Sequence, residues 1–553
     1  MKISIKYIVL VSFFTLASCN DEAFLEEEAK TFYTTDNIFS SGTQVDQSLI
    51  TLYNADRRLR TANNFTHGVS QGLGSDTFVS PGFREGNNFS NYGQINPENG
   101  KINSIFNLHY QIISYANTTL QAANREDIEF ESQELKDYVI AQARFFRGRT
   151  YGSLAQLFGG VPIVDEVASE PKFDYTRASR AEVYEFAISD LEAAVDGLPE
   201  TTSQPGRVVK GAAQHFLSEF YLSLGIETND NADFNQSISY ASALIDGGTY
   251  SLMTTRFGTR AAESGKDVYW DLFRLGNINY AVGNMESIWT YQFDFGAFTA
   301  GDNQARLQHP RYWIPAWRAI PGVVGVAEDV GGRGVAFFAP TKLTNTVIWD
   351  ASISDGDIRG SETNIRRTIL YNDPADPSTF GNPVPQEDID NLNDARPGIV
   401  YPIYEKFTTD MFEGLDQGEN RSNIFRDRYA IRLAETILLR AEAYHRLGDN
   451  DSAADDINLI RNRAQCNILA TASDIDIDYI LDERARELFG EEARWNTLLR
   501  MGGTVAVDRI KAYIQHPWVA TSLTFEFNLW PIPQSVIDRN KDVIWEQNPG
   551  WNR

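Results

Sequence analysis

The sequence predicts a mainly α fold, a scaffold of tetratricopeptide-like helix hairpins interrupted by irregular insertions of loop and short strand. Three observations predict it. Apolar residues recur at helical spacing in long segments closed by turn residues. Two of these segments repeat one short motif. The helical period then fades over two long stretches rich in Gly, Pro, Asn and Asp. The chain has 553 residues, 42% of them hydrophobic and 22% charged, which is ample for a large packed core.

The helices follow in order. Ile102 to Ala123 is one clear helix, and Val139 to Leu157 is a second, closed by Gly159-Gly160 and Pro162. Ser179-Arg180-Ala181-Glu182 is a capping box, in which Ser179 and Glu182 satisfy free amides at a helix start. Tyr184, Ile188, Leu191, Val195 and Leu198 follow at helical spacing until Pro199 ends the run. The repeated motif is Tyr-x-x-Leu-Gly, at Tyr221, Leu224, Gly225 and again at Tyr444, Leu447, Gly448. Each copy ends a helix, and a polar turn and a second amphipathic helix follow, Phe234 to Ile245 and Ala453 to Ala464. That is tetratricopeptide grammar, with a small residue at the turn so that two antiparallel helices pack closely. Generic helical hairpins are the alternative.

The insertions run from about Asn63 to Gly100 and from about Asp267 to Asn423. The second holds short aromatic and β-branched runs, Ser287 to Phe295 and Leu343 to Trp349. Long irregular insertions in a regular scaffold usually carry function.

The N-terminus reads as a leader over residues 1–18. Lys2 and Lys6 precede an apolar run, Ile8 to Leu16, too short for a bilayer, which takes about 20 residues. Leu16-Ala17-Ser18-Cys19 resembles a lipobox, so Cys19 is expected to carry lipid; an ordinary secretory leader is the other reading. The acidic residues that follow, Asp21, Glu22 and Glu26 to Glu28, fit a soluble tether to about residue 40 and resemble a surface-export signal. A single domain over 41–553 is expected beyond it, with helical repeats about 41–250 and 424–500. Cys466 is then alone and reads as a small buried hydrophobe. The net charge of −26 opposes nucleic acid and anionic membranes, and there is no Lys/Arg tract to offset it.

Several blocks together resemble the RagB/SusD family of outer-membrane lipoproteins. They are Ala143-Arg144-Phe145-Phe146-Arg147 continuing to Leu157-Phe158-Gly159-Gly160-Val161-Pro162, then Arg432 to Asn462. Glu483 to Leu488, Glu492 to Trp495, Leu529 to Ser535 and Gln547 to Trp551 complete the order. The resemblance implies about four tetratricopeptide-like pairs with a variable glycan-binding region above them. It further implies a lipid-anchored protein facing the exterior, which captures poly- or oligosaccharide and passes it to a SusC-like TonB-dependent transporter, over which it acts as a lid. No cofactor, metal or catalysis is implied. Some relatives capture peptides instead, and a surface glycoside hydrolase is a further alternative.

A sugar ring offers an apolar face to an aromatic platform and hydroxyls to amides, carboxylates and guanidinium groups. The candidate ligand residues are therefore Asn303, Arg311, Tyr312, Trp313 and Trp317, in a loop broken by Pro310 and Pro315. A second group is Asp76, Phe83, Phe89 and Tyr92, where the resemblance also places part of the sugar site. Pinning of the loops to the scaffold is the alternative for these aromatics. Net acidity favours a neutral glycan such as a β-glucan, although Arg306, Arg311, Arg318 and Arg333 make the main insertion locally basic.

Other motifs fail on context. Gly68-Val69-Ser70-Gln71-Gly72 matches a nucleophile elbow but lacks the buried strand before it and the helix after it. Asp474, Asp476 and Asp478 alternate as in a calcium loop, but Tyr479 and Ala485 occupy the positions that need Gly and Glu. Those acids favour the start of the next helix instead.

Overall fold

The computed structural model describes residues 38–61, 65–81, 89, 91–168, 170–325, 331–408, 423–514 and 521–552. The scaffold comprises α1 (Gly42–Arg60), α2 (Gly100–Ala123), α3 (Gln133–Phe158), α4 (Arg180–Val195), α5 (Lys210–Thr228), α6 (Asn231–Ile245), α7 (Leu433–Arg446) and α8 (Asn450–Arg463). Each helix from α2 onward packs on the one before it, which makes a ribbon of antiparallel hairpins. The expected mainly α architecture is thus present.

Local chemistry sets the helix ends. Ser179 accepts from the Glu182 amide while the Glu182 carboxylate accepts from the Ser179 amide, so the capping box at α4 is complete. Replacing Ser179 by Ala should cost about 1 kcal/mol of stability, read as a lower urea midpoint with an unchanged slope. At the other end of α3, Gly159 takes φ 72°, which ends the helix where a Cβ would be strained. Asp476 caps α9 (Ile477–Leu488) by accepting from the Tyr479 amide, the helix-start role expected of these acids.

The two Tyr-x-x-Leu-Gly copies play different parts. Gly448, at φ +81°, makes the turn after α7, as expected. Gly225 instead lies inside α5, which runs on to Thr228, and Asn229 supplies the left-handed turn at φ 57°. A Cβ on Gly225 would meet the Phe234 ring at 2.7 Å, so this glycine lets α6 lie close against α5.

The long insertion leaves the ribbon after α6 and returns at α7, which packs directly on α6. Its neck is an antiparallel pair, the strand Ser287–Tyr291 on the strand Arg428–Arg432, with Ser287 opposite Arg432 and Tyr291 opposite Arg428. Three short strand pairs in all occur among the described residues. Leu343 to Trp349, the second aromatic and β-branched run, forms turns of helix at Lys342–Asn345 and Val347–Trp349. Leu343 and Ile348 are still buried, which short helical turns achieve as well as a strand. The insertion has its own small core, in which Trp317 packs with Ile314, Ile320, Ile399 and Ile403.

Candidate functional site

What holds the insertion in place is a buried charge network at its root. Glu487 of α9 accepts from Arg359 of the insertion at 2.9 Å and pairs with Arg432 and Arg463 of the scaffold. Glu483 binds Arg359 at 2.7 Å, Arg461 at 2.8 Å and Arg486 at 2.8 Å. Lys406 of the insertion reaches Glu491 at 2.8 Å, and Arg432 meets the same carboxylate at 2.7 Å. Burial alone would raise the pKa values of Glu483 and Glu487. The arginines around them win, holding Glu483 down to about 2 and Glu487 lower still. The block Glu483 to Leu488 is therefore a joint between scaffold and insertion.

The structure corrects most of the expected ligand residues. Trp313 is 2% exposed and stacks on Phe407 with ring centres 4.3 Å apart, with Phe78 4.5 Å away. Trp317 is fully buried in the insertion's core. Tyr312 lies beneath Phe338, stacked at 5.1 Å. Phe89 packs edge-on against Trp530 at 5.7 Å and Trp495 at 6.5 Å, and Tyr92 donates its hydroxyl to the Gly74 carbonyl. Asp76 is wholly buried in pairs with Arg494 (2.6 Å) and Arg509 (3.0 Å). These groups pin loops to the scaffold, the alternative reading of the aromatics, because a buried ring has no face left for a sugar. Phe83 and Cys19 lie outside the described residues.

Arg311 and Asn303 keep access to solvent, Asn303 fully and Arg311 in part. Around them the insertion presents half-buried rings with guanidinium groups laid over them. The Arg306 guanidinium carbon sits 4.8 Å from the centre of the Phe298 ring, and that of Arg311 sits 5.8 Å from the centre of Phe337. Phe298 and Phe295 both pack on Phe425, at 5.5 Å and 5.0 Å. Asp294 caps the short helix Phe295–Thr299 through the Ala297 amide at 2.6 Å, which fixes these two rings. Burial and the nearby Arg311 charge lower the pKa of Arg306. Phe298 and Phe337 were missed in the sequence. Phe298 sits three residues before Gly301, and no spacing distinguishes a ring on this face from one beneath it.

Known families match both ends of this architecture. Residues 342–551 match the SusD family model, and residues 23–222 match a family described as starch-binding and associating with the outer membrane. The chain belongs to the SusD/RagB family. A SusD-like protein P2 of Formosa agariphila is 25% identical over 572 residues, covering 100% of both chains. Among solved structures, a SusD homologue of Bacteroides thetaiotaomicron aligns with a TM-score of 0.69 at 20% identity, over 94% of this chain and 98% of that one. A laminarin-binding SusD-like protein aligns at 0.65 and 20% identity, over 93% and 100%. At such identities the structures establish the SusD fold and nothing finer. The candidate face, Phe295 to Phe337, lies between the two segments that the SusD-family models match. The family's outer-membrane association needs no spanning helix, and among the described residues none is long and apolar enough to be one.

Proposed function

We propose that this protein captures glycan chains outside the cell and delivers them to a SusC-like TonB-dependent transporter, held to the outer membrane by lipid on Cys19. The observation that carries this reading is the division of the SusD-family match. Two matched scaffold segments flank an insertion that carries half-buried rings beneath guanidinium groups and, in the same stretch of chain, the exposed Asn303. Phe298 and Phe337 offer apolar contact to sugar C–H groups, and Arg306, Arg311 and Asn303 offer donors to hydroxyls. The starch-binding family description and the laminarin-binding relative support a glycan over a peptide as the cargo. The ligand we favour is a neutral glycan such as a β-glucan, in keeping with the net charge of −26.

Binding without catalysis fits where the perturbed carboxylate sits. Burial lifts Glu435 to about 7, the range of a general acid. Yet it lines a narrow, part-open cavity of about 60 Å³ beside Arg149, His215 and Asn496. Ligand pockets run from about 300 Å³ upward, so this space suits a few waters and excludes a polysaccharide.

The test is retention of the full chain, in detergent, on gels containing laminarin, starch, xylan or alginate. We expect retention on at least one neutral gel with no sugar released, and roughly tenfold weaker binding for Phe298→Ala and for Arg311→Ala. Release of reducing sugar would favour the hydrolase reading. Retention on no gel, or equal retention of parent and both variants, would overturn the proposal or its site.

A further inference from the structure

A second cleft, of about 490 Å³, lies far along the chain from the insertion, between α2, the segment 162–175 and the C-terminal stretch 536–545. Its walls are fixed by side-chain bonds to backbone. Asn117 of α2 donates to the carbonyls of Val164 (2.9 Å) and Glu166 (3.1 Å), and Tyr110 donates to that of Pro162 (2.7 Å). Asn540 bonds both the amide (2.8 Å) and the carbonyl (2.9 Å) of Tyr175, and the Trp545 indole donates to that same carbonyl at 2.8 Å. The cleft is therefore preformed, and its size falls within the range of ligand pockets, about 300–1,000 Å³.

The lining chemistry is that of a saccharide site. Tyr110, Phe173, Tyr175 and Trp545 supply aromatic surface. Phe173 is 41% exposed, with the Lys541 ammonium 4.9 Å from its ring centre. Asn107, Ser114, Glu166 and Arg539 also line the cleft and supply donors and acceptors of both signs. Such a mixture disfavours a strongly charged ligand and suits hydroxyls lying over an apolar ring face. We infer that this cleft is a second binding site for a neutral oligosaccharide, separate from the face on the insertion. The inference rests on the glycan reading given above.

Calorimetric titration of the full chain in detergent with laminarihexaose, maltoheptaose and xylohexaose, paired with hydrogen exchange, tests it. A ligand that binds should show two sites per chain and slow exchange in both 162–175 and the insertion. Phe173→Ala should weaken one of the two sites roughly tenfold and Phe173→Tyr should preserve it, since the ring is what binds. Arg311→Ala should weaken only the other. Binding at a single site, with exchange in 162–175 unchanged and Phe173→Ala silent, would overturn the inference and leave the insertion site standing. If none of the saccharides binds, both readings fall. Protection of 162–175 by the purified transporter but by no saccharide would overturn it in favour of a protein partner.

Discussion

Glu487→Gln should leave little folded protein, although it keeps the shape of the side chain. The residue accepts from three buried arginines, Arg359, Arg432 and Arg463, and is itself 0% exposed. Removing one member of a buried pair costs about 3–5 kcal/mol, because the partner remains charged and dry. Here three partners lose their shared counterion, against a total stability of about 5–15 kcal/mol for a typical domain. The expected readout is loss of soluble protein, or a large drop in urea midpoint. Asp246→Asn is the control. It also breaks a direct ion pair, Arg440–Asp246 at 2.8 Å, but Asp246 is 65% exposed and Arg440 keeps Asp456, so a change within about 0.5 kcal/mol is expected. The same network sets the acid limit. Glu483 and Glu487 have folded values depressed below the unfolded one, so their stabilisation is complete above about pH 4.5. It is lost as the pH falls through about 2 for Glu483 and lower for Glu487. Glu435 runs the other way: its folded value is raised to about 7, so its contribution is present at acid pH and fades as the pH rises through 7. A stability profile that declined steeply from pH 6 to pH 4 would contradict this assignment.

The ribbon was legible because its rules are local. The Ser179 capping box, the Gly159 stop and the apolar spacing of α4 each depend on residues a few positions apart. The two glycines of the repeated motif show where local rules end. Gly448 and Gly225 look alike in sequence, and only the approach of Phe234 to one of them separates a turn from a packing contact. The binding face was less legible for the same reason. Pro310 and Pro315 do break the chain into short turns, and His309–Trp313 is a helix of only five residues. A broken segment is not thereby an exposed one. The insertion encloses a core of its own, and Trp313 and Trp317 fill space that no periodicity announces. Charged residues depend on distance in the chain as well. In α9, Glu483, Arg484, Arg486 and Glu487 are all buried because their partners arrive from segments over a hundred residues away as well as from nearby turns.

Asp76 separates a ligand residue from a structural one most sharply. Were it a sugar contact, Asp76→Ala would fold normally and bind weakly. The structure predicts the reverse order of events. Both carboxylate oxygens are engaged, Oδ1 by Arg494 at 2.8 Å and Oδ2 by Arg494 at 2.6 Å and Arg509 at 3.0 Å. Burial pushes its pKa up, and the two guanidinium groups outweigh that and hold it below the usual value. The pair also joins distant parts of the chain, since Asp76 lies in the first insertion and Arg494 opens α10 (Arg494–Arg500). Next to it, Thr341 and Thr344 donate to the carbonyls around Thr77, so the same loop ties the short strand Phe78–Val79 to Ala339–Pro340. Asp76→Ala should therefore cost at least about 3–5 kcal/mol. Arg494 retains Glu492 at 2.8 Å, and Arg509 retains Asp482 at 2.6 Å and Asp478 at 3.0 Å, so neither is left without an acid and part of the fold should survive at low temperature. Measured there, the folded fraction should hold glycan as tightly as the parent while melting far earlier. A variant that melts with the parent yet binds no glycan would return Asp76 to the ligand site and remove it from the joint.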